Sequence, residues 1–454
     1  MAIRTLLILG ASGDLTARLL LPALGQLLCR EPERKVHIIG TDVQEMSNEA
    51  WRERIRNSFR TTDSEDAFDK IKDTRHIQAD ITDAEGLTRL LSQVEAPISI
   101  YFAVPPGIAV KACEALADVE LPEGTMLALE KPFGTNEAGA RALNRTLDKL
   151  VPEEQIFRVD HFLGNTMLLN VLGVRLSNRL LEPLWSSDHI ESVSILYNET
   201  LGLEGRAGYY DKAGALVDMI QSHLLQVLAI VAMEPPAALN EVDLRSATAT
   251  VLRATRVWQA DPQNYSRRAR YLAGEIDGRA LPNYVDEPGV DPSRNTETLA
   301  EATFEIRNTR WTGVPFTVRS GKALDQPARE IVIRFKPAHH LPDGLRGDPE
   351  GAILRFALGP DSVSLEINAS SVKDPLEMER AVLTTHLGEG ALKAYTEVLA
   401  GILEGDPLLS VRSDAAEQCW HIVDPILQAW RDGSVPLEEY EAGSLRPEGW
   451  PQLR

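Results

Sequence analysis

The chain is short of cysteine, with three in 454 residues: Cys29, Cys113 and Cys419, far apart and odd in number. That argues against a disulfide framework and fits free thiols in a reducing compartment, so a cytoplasmic protein is expected. Positive charge is also scarce, with 47 Lys and Arg against 67 Asp and Glu and a formal net charge of -20. Nucleic acid and anionic membrane surfaces, which bind through basic side chains, are therefore poor partners, whereas a small anionic metabolite needs only a few local cations. Long apolar runs are missing as well. The longest, Leu224 to Met233, has about half of the roughly 20 residues that a bilayer crossing needs, and it reads as a buried helix. The first residues, MAIRTLLILGASGDL, have no cleavage-like stretch behind a long apolar core and read as a first strand, not an export signal. Repeats and low-complexity tracts are absent, and only the last ten residues look like a free tail.

The length and the 43% hydrophobic content suffice for two packed cores. From Arg4 to Leu9 the residues are apolar and partly β-branched, Gly10 to Gly13 forms a turn, and Leu15 to Leu28 carries apolar residues at helical spacing. Further strand-like runs at Val36 to Ile39, Ile98 to Val104 and Met126 to Leu129 alternate with helical stretches, which predicts a parallel sheet with helices on both faces. After about Asp160 the pattern changes. Long helices precede grouped strands at Ser192 to Tyr197, Thr303 to Ile306, Ile331 to Phe335 and Ser362 to Ile367, with a Pro- and Gly-rich irregular connection from Tyr271 to Asn295. The expected architecture is α/β plus α+β: a Rossmann-like dinucleotide-binding domain over 1–160, then a larger substrate and oligomerisation domain over 161–454. The latter is expected to have a mostly antiparallel sheet covered by helices on one face.

Gly10-Ala11-Ser12-Gly13-Asp14-Leu15 lies where the first strand hands over to a helix, a place where glycines let backbone approach a pyrophosphate at the helix N-terminus. Asp42 ends the second strand, where a carboxylate accepts hydrogen bonds from the adenosine ribose hydroxyls and repels a 2′-phosphate. Neither Val43 nor Gln44 supplies a cation. NAD is therefore the expected cofactor and NADP the second choice; the bland alternative makes Asp42 a turn or cap residue before a helix near Asn48. In the second half, Asp160-His161 and the Asp218 to His223 segment place histidines beside carboxylates, the components of a base and its orienting partner. By spacing alone neither histidine is special, since a His inside an apolar helix is more often a satisfied core residue. The pair His339-His340 has no second ligand cluster at metal spacing, so no metal is expected.

Taken together, the motifs resemble the glucose-6-phosphate dehydrogenase family over nearly the whole chain. The matching segments are GASGDL at Gly10, YFAVPP at Tyr101, EKPFG at Glu130, RVDHFLG at Arg158, EPLW at Glu182, GYYDKAGALVDMIQSHLLQ at Gly208, RWTGVPFTVRSGKAL at Arg310 and VDPIL at Val423. The resemblance implies that His223 is the general base and Asp160 the carboxylate that orients it and stabilises the imidazolium. It implies Lys131 near both sugar and nicotinamide, and Glu199, Asp218 and Lys322 on the sugar hydroxyls. Gly10, Ser12, Gly13, Asp14, Leu15, Asp42 and Pro105 would line the cofactor, and a homodimer or homotetramer is expected.

The chain departs from the family pattern where a 6-phosphate is held. His161 is kept, but Phe162 has no hydroxyl and Asn165 no charge, and Pro327 replaces a cation beyond RSGKAL, with Arg329 displaced by two positions; in one further place, Asn368 stands where a Gln commonly contacts the sugar. The leading expectation is NAD-dependent oxidation of the C1 hydroxyl of a glucopyranose altered at C6. An ordinary glucose 6-phosphate dehydrogenase with a rebuilt phosphate site is the alternative. A catalytically silent binding or assembly subunit is the third reading, disfavoured because Gly10, Gly13, Asp160 and His223 persist.

Overall fold

Residues 4–347, 350–358, 361–387 and 393–453 are described by a computed structural model. Chain contacts divide it into two units, one made of Met1–Thr166, Pro236–Ala249 and Gly390–Trp420, the other of Met167–Pro235, Thr250–Glu389 and His421–Arg454.

In the first unit the apolar run Arg4–Leu9 is β1, followed by β2 (Val36–Asp42), β3 (Ile71–Gln78), β4 (Ile98–Phe102), β5 (Met126–Glu130) and β6 (Ile156–Val159). They pair in parallel in the order β6-β5-β4-β1-β2-β3, and the short strand Ser410–Val411 adds an antiparallel edge to β6. Buried on both faces, β1 and β4 are near-continuous hydrophobic runs, as central parallel strands must be. The edge strand β3, IKDTRHIQ, is mostly half-exposed, and so its sequence carries no such run. Helices Leu21–Arg30, Asn48–Arg60 and Ala394–Glu404 supply much of the core, with Leu24, Trp51, Phe59 and Ile402 fully buried.

The second unit is built on a ten-stranded mixed sheet. Its middle strand, β7 (Ile190–Asn198), pairs antiparallel with Ala328–Phe335 and parallel with Phe316–Gly321; most other pairings in the sheet are antiparallel. Against Leu299–Ile306 and Phe316–Gly321 packs the helical run Ala207–Ala232. This run is long and apolar enough to cross a membrane by composition, yet it lies largely buried in the unit. Its last carbonyls are satisfied by side chains: the Trp185 and Trp311 indoles donate to Val231 O (2.8 Å) and Ala232 O (2.7 Å), and Arg175 donates to Met233 O (2.6 Å). The EPLW and RWTG segments are thus scaffolding that pins one helix end.

Two expectations are corrected here. The connection from Tyr271 to Asn295 contains an antiparallel hairpin, Gly274–Ile276 with Arg279–Leu281, turning at Asp277-Gly278, both with positive φ. Nor do the last residues form a free tail: Trp450 is 3% exposed, and Arg446, Arg267 and Arg319 donate to the carbonyls of Trp450, Gly449 and Pro451.

Candidate functional site

The parallel sheet delivers its chemistry at the C-terminal ends of its strands, where ligands of such sheets bind. After β1, Gly10 has φ +95°, and a Cβ there would lie 2.4 Å from Ala103 O. Only glycine fits this close approach between the β1 and β4 exits. Gly13 N donates to Gly10 O at 3.1 Å, and the Thr16 hydroxyl donates to the same oxygen at 2.8 Å, closing the turn. The helix that follows opens with a wide turn, Thr16–Leu20, in which hydrogen bonds reach five residues. Asp14 pairs with Arg18 at 3.3 Å on the surface, and Leu15 packs against the core. Pro105 caps the helix Pro106–Leu116 beyond β4.

Asp42 ends β2, and its carboxylate accepts the Ser12 N–H at 2.7 Å, while Arg54 donates to Ser12 O (2.5 Å) and Gly13 O (2.8 Å). The cap of the helix at Asn48 is Ser47, which accepts from Ala50 N, so Asp42 is not spent there. Asp42 and the glycine turn are therefore one structure.

At the β5 exit stands Glu130, followed by Lys131; at the β6 exit come Asp160 and His161. Asp160 is 1% exposed, and one oxygen accepts Phe162 N at 3.0 Å. Two features of RVDHFLG fix this corner. Arg158 is fully buried on an ion pair with Glu153 (2.9 Å), and a Cβ on Gly164 would lie 2.3 Å from Ala394 O. That approach brings Tyr395 over His161, with rings stacked at 5.0 Å and 17°, and Phe162 meets His161 edge-on at 5.2 Å. Asn165 closes the short helical turn by donating its N–H to Phe162 O. Sequence reasoning passed over Glu130, Tyr101 and Tyr395. Glu130 Oε1 accepts both phenols, Tyr101 at 2.5 Å and Tyr395 at 3.0 Å. Withdrawal from water pushes the Glu130 carboxyl up to about 7 against the pull of these hydrogen bonds and of Lys131.

In the second unit, Glu199 follows β7 and Lys322 follows the parallel neighbour Phe316–Gly321, which puts both side chains at one sheet end. Lys322 Nζ and Glu199 Oε2 are 2.6 Å apart, and Lys322 Nζ also lies 5.2 Å from the Tyr210 ring centre. Tyr209 donates its hydroxyl to Asp218, and burial first, then that carboxylate, raises its pKa. Asp218 and His223 share the wide helical segment Leu216–Leu224, and His223 is 1% exposed. Residues five apart on an α-helix point about 140° away from each other, whereas five-residue hydrogen bonding brings them towards one side. The helix start is set by Glu297: its carboxylate accepts Leu216 N at 3.0 Å, and its carbonyl accepts Ala215 N. Gly214 has φ +67°, and a Cβ there would strike the Glu297 carboxylate.

Burial raises Glu297 from 4.5 to about 7. With a raised native pKa, stability is complete below the unfolded value and is lost as pH rises from about 4.5 to about 7. Glu297→Gln keeps an acceptor for Leu216 N without the charge. It should flatten thermal stability across this window and gain up to about 3 kcal/mol near pH 8; melting curves against pH measure this.

Arg329 pairs with Tyr197 across the sheet, its guanidinium 5.0 Å from the ring centre, and its buried Nε has no partner among the described residues. Asn368 is held by its own sheet, donating to Glu350 O (2.8 Å) and accepting from Arg380 (3.0 Å).

Residues 7–170 match the family described as glucose-6-phosphate dehydrogenase, NAD binding domain, and residues 172–453 match its C-terminal domain. The glucose-6-phosphate 1-dehydrogenase of Gluconobacter oxydans is 38% identical over 98% of this chain and 95% of its own, and that of Bacillus subtilis 32% over 97% and 94%. A crystal structure of the Mycobacterium avium enzyme superposes with a TM-score of 0.86 at 32% identity, covering 98% of this chain and 95% of that one. A glucose-6-phosphate dehydrogenase in complex with its substrate glucose-6-phosphate gives 0.84 at 29%, covering 98% and 96%. With both of its halves matched, the chain belongs to the glucose-6-phosphate dehydrogenase family of oxidoreductases, which use a nicotinamide dinucleotide.

Proposed function

We propose that the protein oxidises the C1 hydroxyl of glucose 6-phosphate to the 1,5-lactone, preferring NAD to NADP. The observation that carries the substrate assignment is Arg329, a half-buried guanidinium with no ion pair among the described residues, on the sheet face that also bears Tyr197 and Glu199. In a chain of net charge -20, a cation left uncommitted beside a candidate sugar site supports an anionic substituent. It offsets the replacement of a cation by Pro327.

The glycine turn fits a dinucleotide, since it lies at the C-terminal end of β1 and leads directly into a helix, where a pyrophosphate meets the helix N-terminus. Bound there, NAD supplies the hydride acceptor. His223 takes the hydroxyl proton as the C1 hydrogen leaves with its electron pair, so that C1–O becomes a carbonyl and the imidazole an imidazolium. In this reading Asp160 stabilises the imidazolium. Glu199, Asp218 and Lys322 hold sugar hydroxyls, Lys131 serves sugar and nicotinamide, and His161 joins Arg329 in binding the phosphate.

A second reading, a glucopyranose unphosphorylated or differently substituted at C6, is favoured by Phe162 and Asn165, which lack the hydroxyl and the charge expected there. Turnover with NAD and NADP across glucose 6-phosphate, glucose and C6-altered glucoses separates the two. Glucose 6-phosphate with NAD should be fastest. Arg329→Ala should lower its kcat/KM about 10- to 100-fold, as expected for one charge-assisted hydrogen bond, and leave glucose unaffected. Glucose equal to or better than glucose 6-phosphate in the unmodified protein would establish the second reading.

A further inference from the structure

Glu130 is a titratable group that the reaction above does not use. Its surroundings come from separate elements of the first unit: Tyr101 from β4, Tyr395 from the helix Ala394–Glu404, Lys131 next in the chain, and Asp160 beyond β6. Both phenols donate to the one oxygen Oε1; Oε2 has no hydrogen bond among the described residues, and the side chain keeps an exposed edge. Tyr395 is held at two points, its hydroxyl on Glu130 at 3.0 Å and its ring flat against His161 at 5.0 Å. The carboxylate therefore sets where the ring sits, and the ring sets where the imidazole sits.

We propose that Glu130 is a positioning residue that clamps Tyr395 beneath His161 and, by its own ionisation, tunes the affinity of His161 and Lys131 for an anionic substrate. The idea rests on the reading of His161 as a phosphate ligand. A neutral Glu130 leaves Lys131 and His161 as an attractive pair for a phosphate, whereas an ionised one sets a negative charge beside them and opposes the second anion. Hydrogen bonds from the phenols and the charge of Lys131 favour ionisation, while withdrawal from water and Asp160 oppose it, and the balance falls near neutral pH at about 7. The KM for a sugar phosphate should thus rise as pH passes upward through neutrality.

The test compares Glu130→Gln, Tyr395→Phe and His161→Ala with the unmodified protein, measuring KM and kcat for glucose 6-phosphate and for glucose from about pH 6 to about pH 8, a span chosen to bracket the Glu130 carboxyl. Glutamine still offers a carbonyl to both phenols but cannot ionise. Glu130→Gln should keep kcat and show a several-fold smaller rise of the glucose 6-phosphate KM with pH. Titration of the phosphate itself is common to both proteins and cancels in the comparison. Tyr395→Phe keeps the ring and loses the clamp, so it should raise that KM several-fold at every pH and leave KM for NAD unchanged. It carries the test alone should Glu130→Gln not fold. Wild-type pH dependence in Glu130→Gln, or a wild-type KM in Tyr395→Phe, overturns the inference while a raised KM in His161→Ala leaves the phosphate reading standing. An unaltered KM in His161→Ala removes that reading and the inference with it.

Discussion

Replacing His223 with Asn should lower kcat about 100- to 10,000-fold, the usual worth of a positioned general base, and leave NAD affinity as it was. His223 is 1% exposed and lies on the same wide helical segment as Asp218, which accepts a hydrogen bond from Tyr209. Asparagine is polar and smaller, so the substitution removes the proton acceptor without bringing a new charge into a buried position. The residues of the dinucleotide turn belong to the first unit and His223 to the second. Steady-state kinetics with saturating sugar, paired with titration of NAD binding, separates the two effects. Full turnover in the variant would mean that His223 is a core residue of the helix, the reading its burial also allows.

Much of this was legible in the order of the letters. The strand, glycine turn and helix at the N-terminus follow from a hydrophobic run, two glycines and a 3.6-residue period, and the structure places β1, the turn and the helix where they were expected. Legibility fails where position depends on distant chain. Tyr395 comes to His161 only because Gly164 admits the backbone of Ala394, and no local pattern near residue 395 signals this. A 3.6-residue period also hides the wide segment Leu216–Leu224, since its apolar residues are buried whether hydrogen bonds reach four residues or five. Edge strands such as β3 carry mixed side chains because much of their surface is half-exposed, which erases the apolar run used to find the central ones. Arg329 was read as a displaced cation. That it lies over Tyr197 follows from the cross-strand register of Ala328–Phe335 with β7, a long-range pairing that no local pattern specifies.

The second large effect concerns cofactor choice. Asp42 does two things that a single substitution to Ala would confuse: its charge stands at the end of β2, and its oxygen accepts the Ser12 N–H at 2.7 Å. Asp42→Asn keeps an oxygen for Ser12 and removes only the charge. Combined with Val43→Arg, at an exposed neighbouring position, it adds a cation for a 2′-phosphate. Arg54 already donates to Ser12 O and Gly13 O, so loss of the carboxylate leaves a net positive field at the turn. The kcat/KM ratio of NADP to NAD should rise about 10- to 100-fold in the double variant, since one charge-assisted contact is worth about 1.5 to 3 kcal/mol. The Asn substitution alone should move the ratio in the same direction by less, with NAD turnover largely kept because the turn is still tied. If the unmodified protein already uses NADP better than NAD, Asp42 is a brace for the glycine turn and nothing more; if Asp42→Asn lowers NAD use without helping NADP, the carboxylate binds the ribose but does not select between the two cofactors.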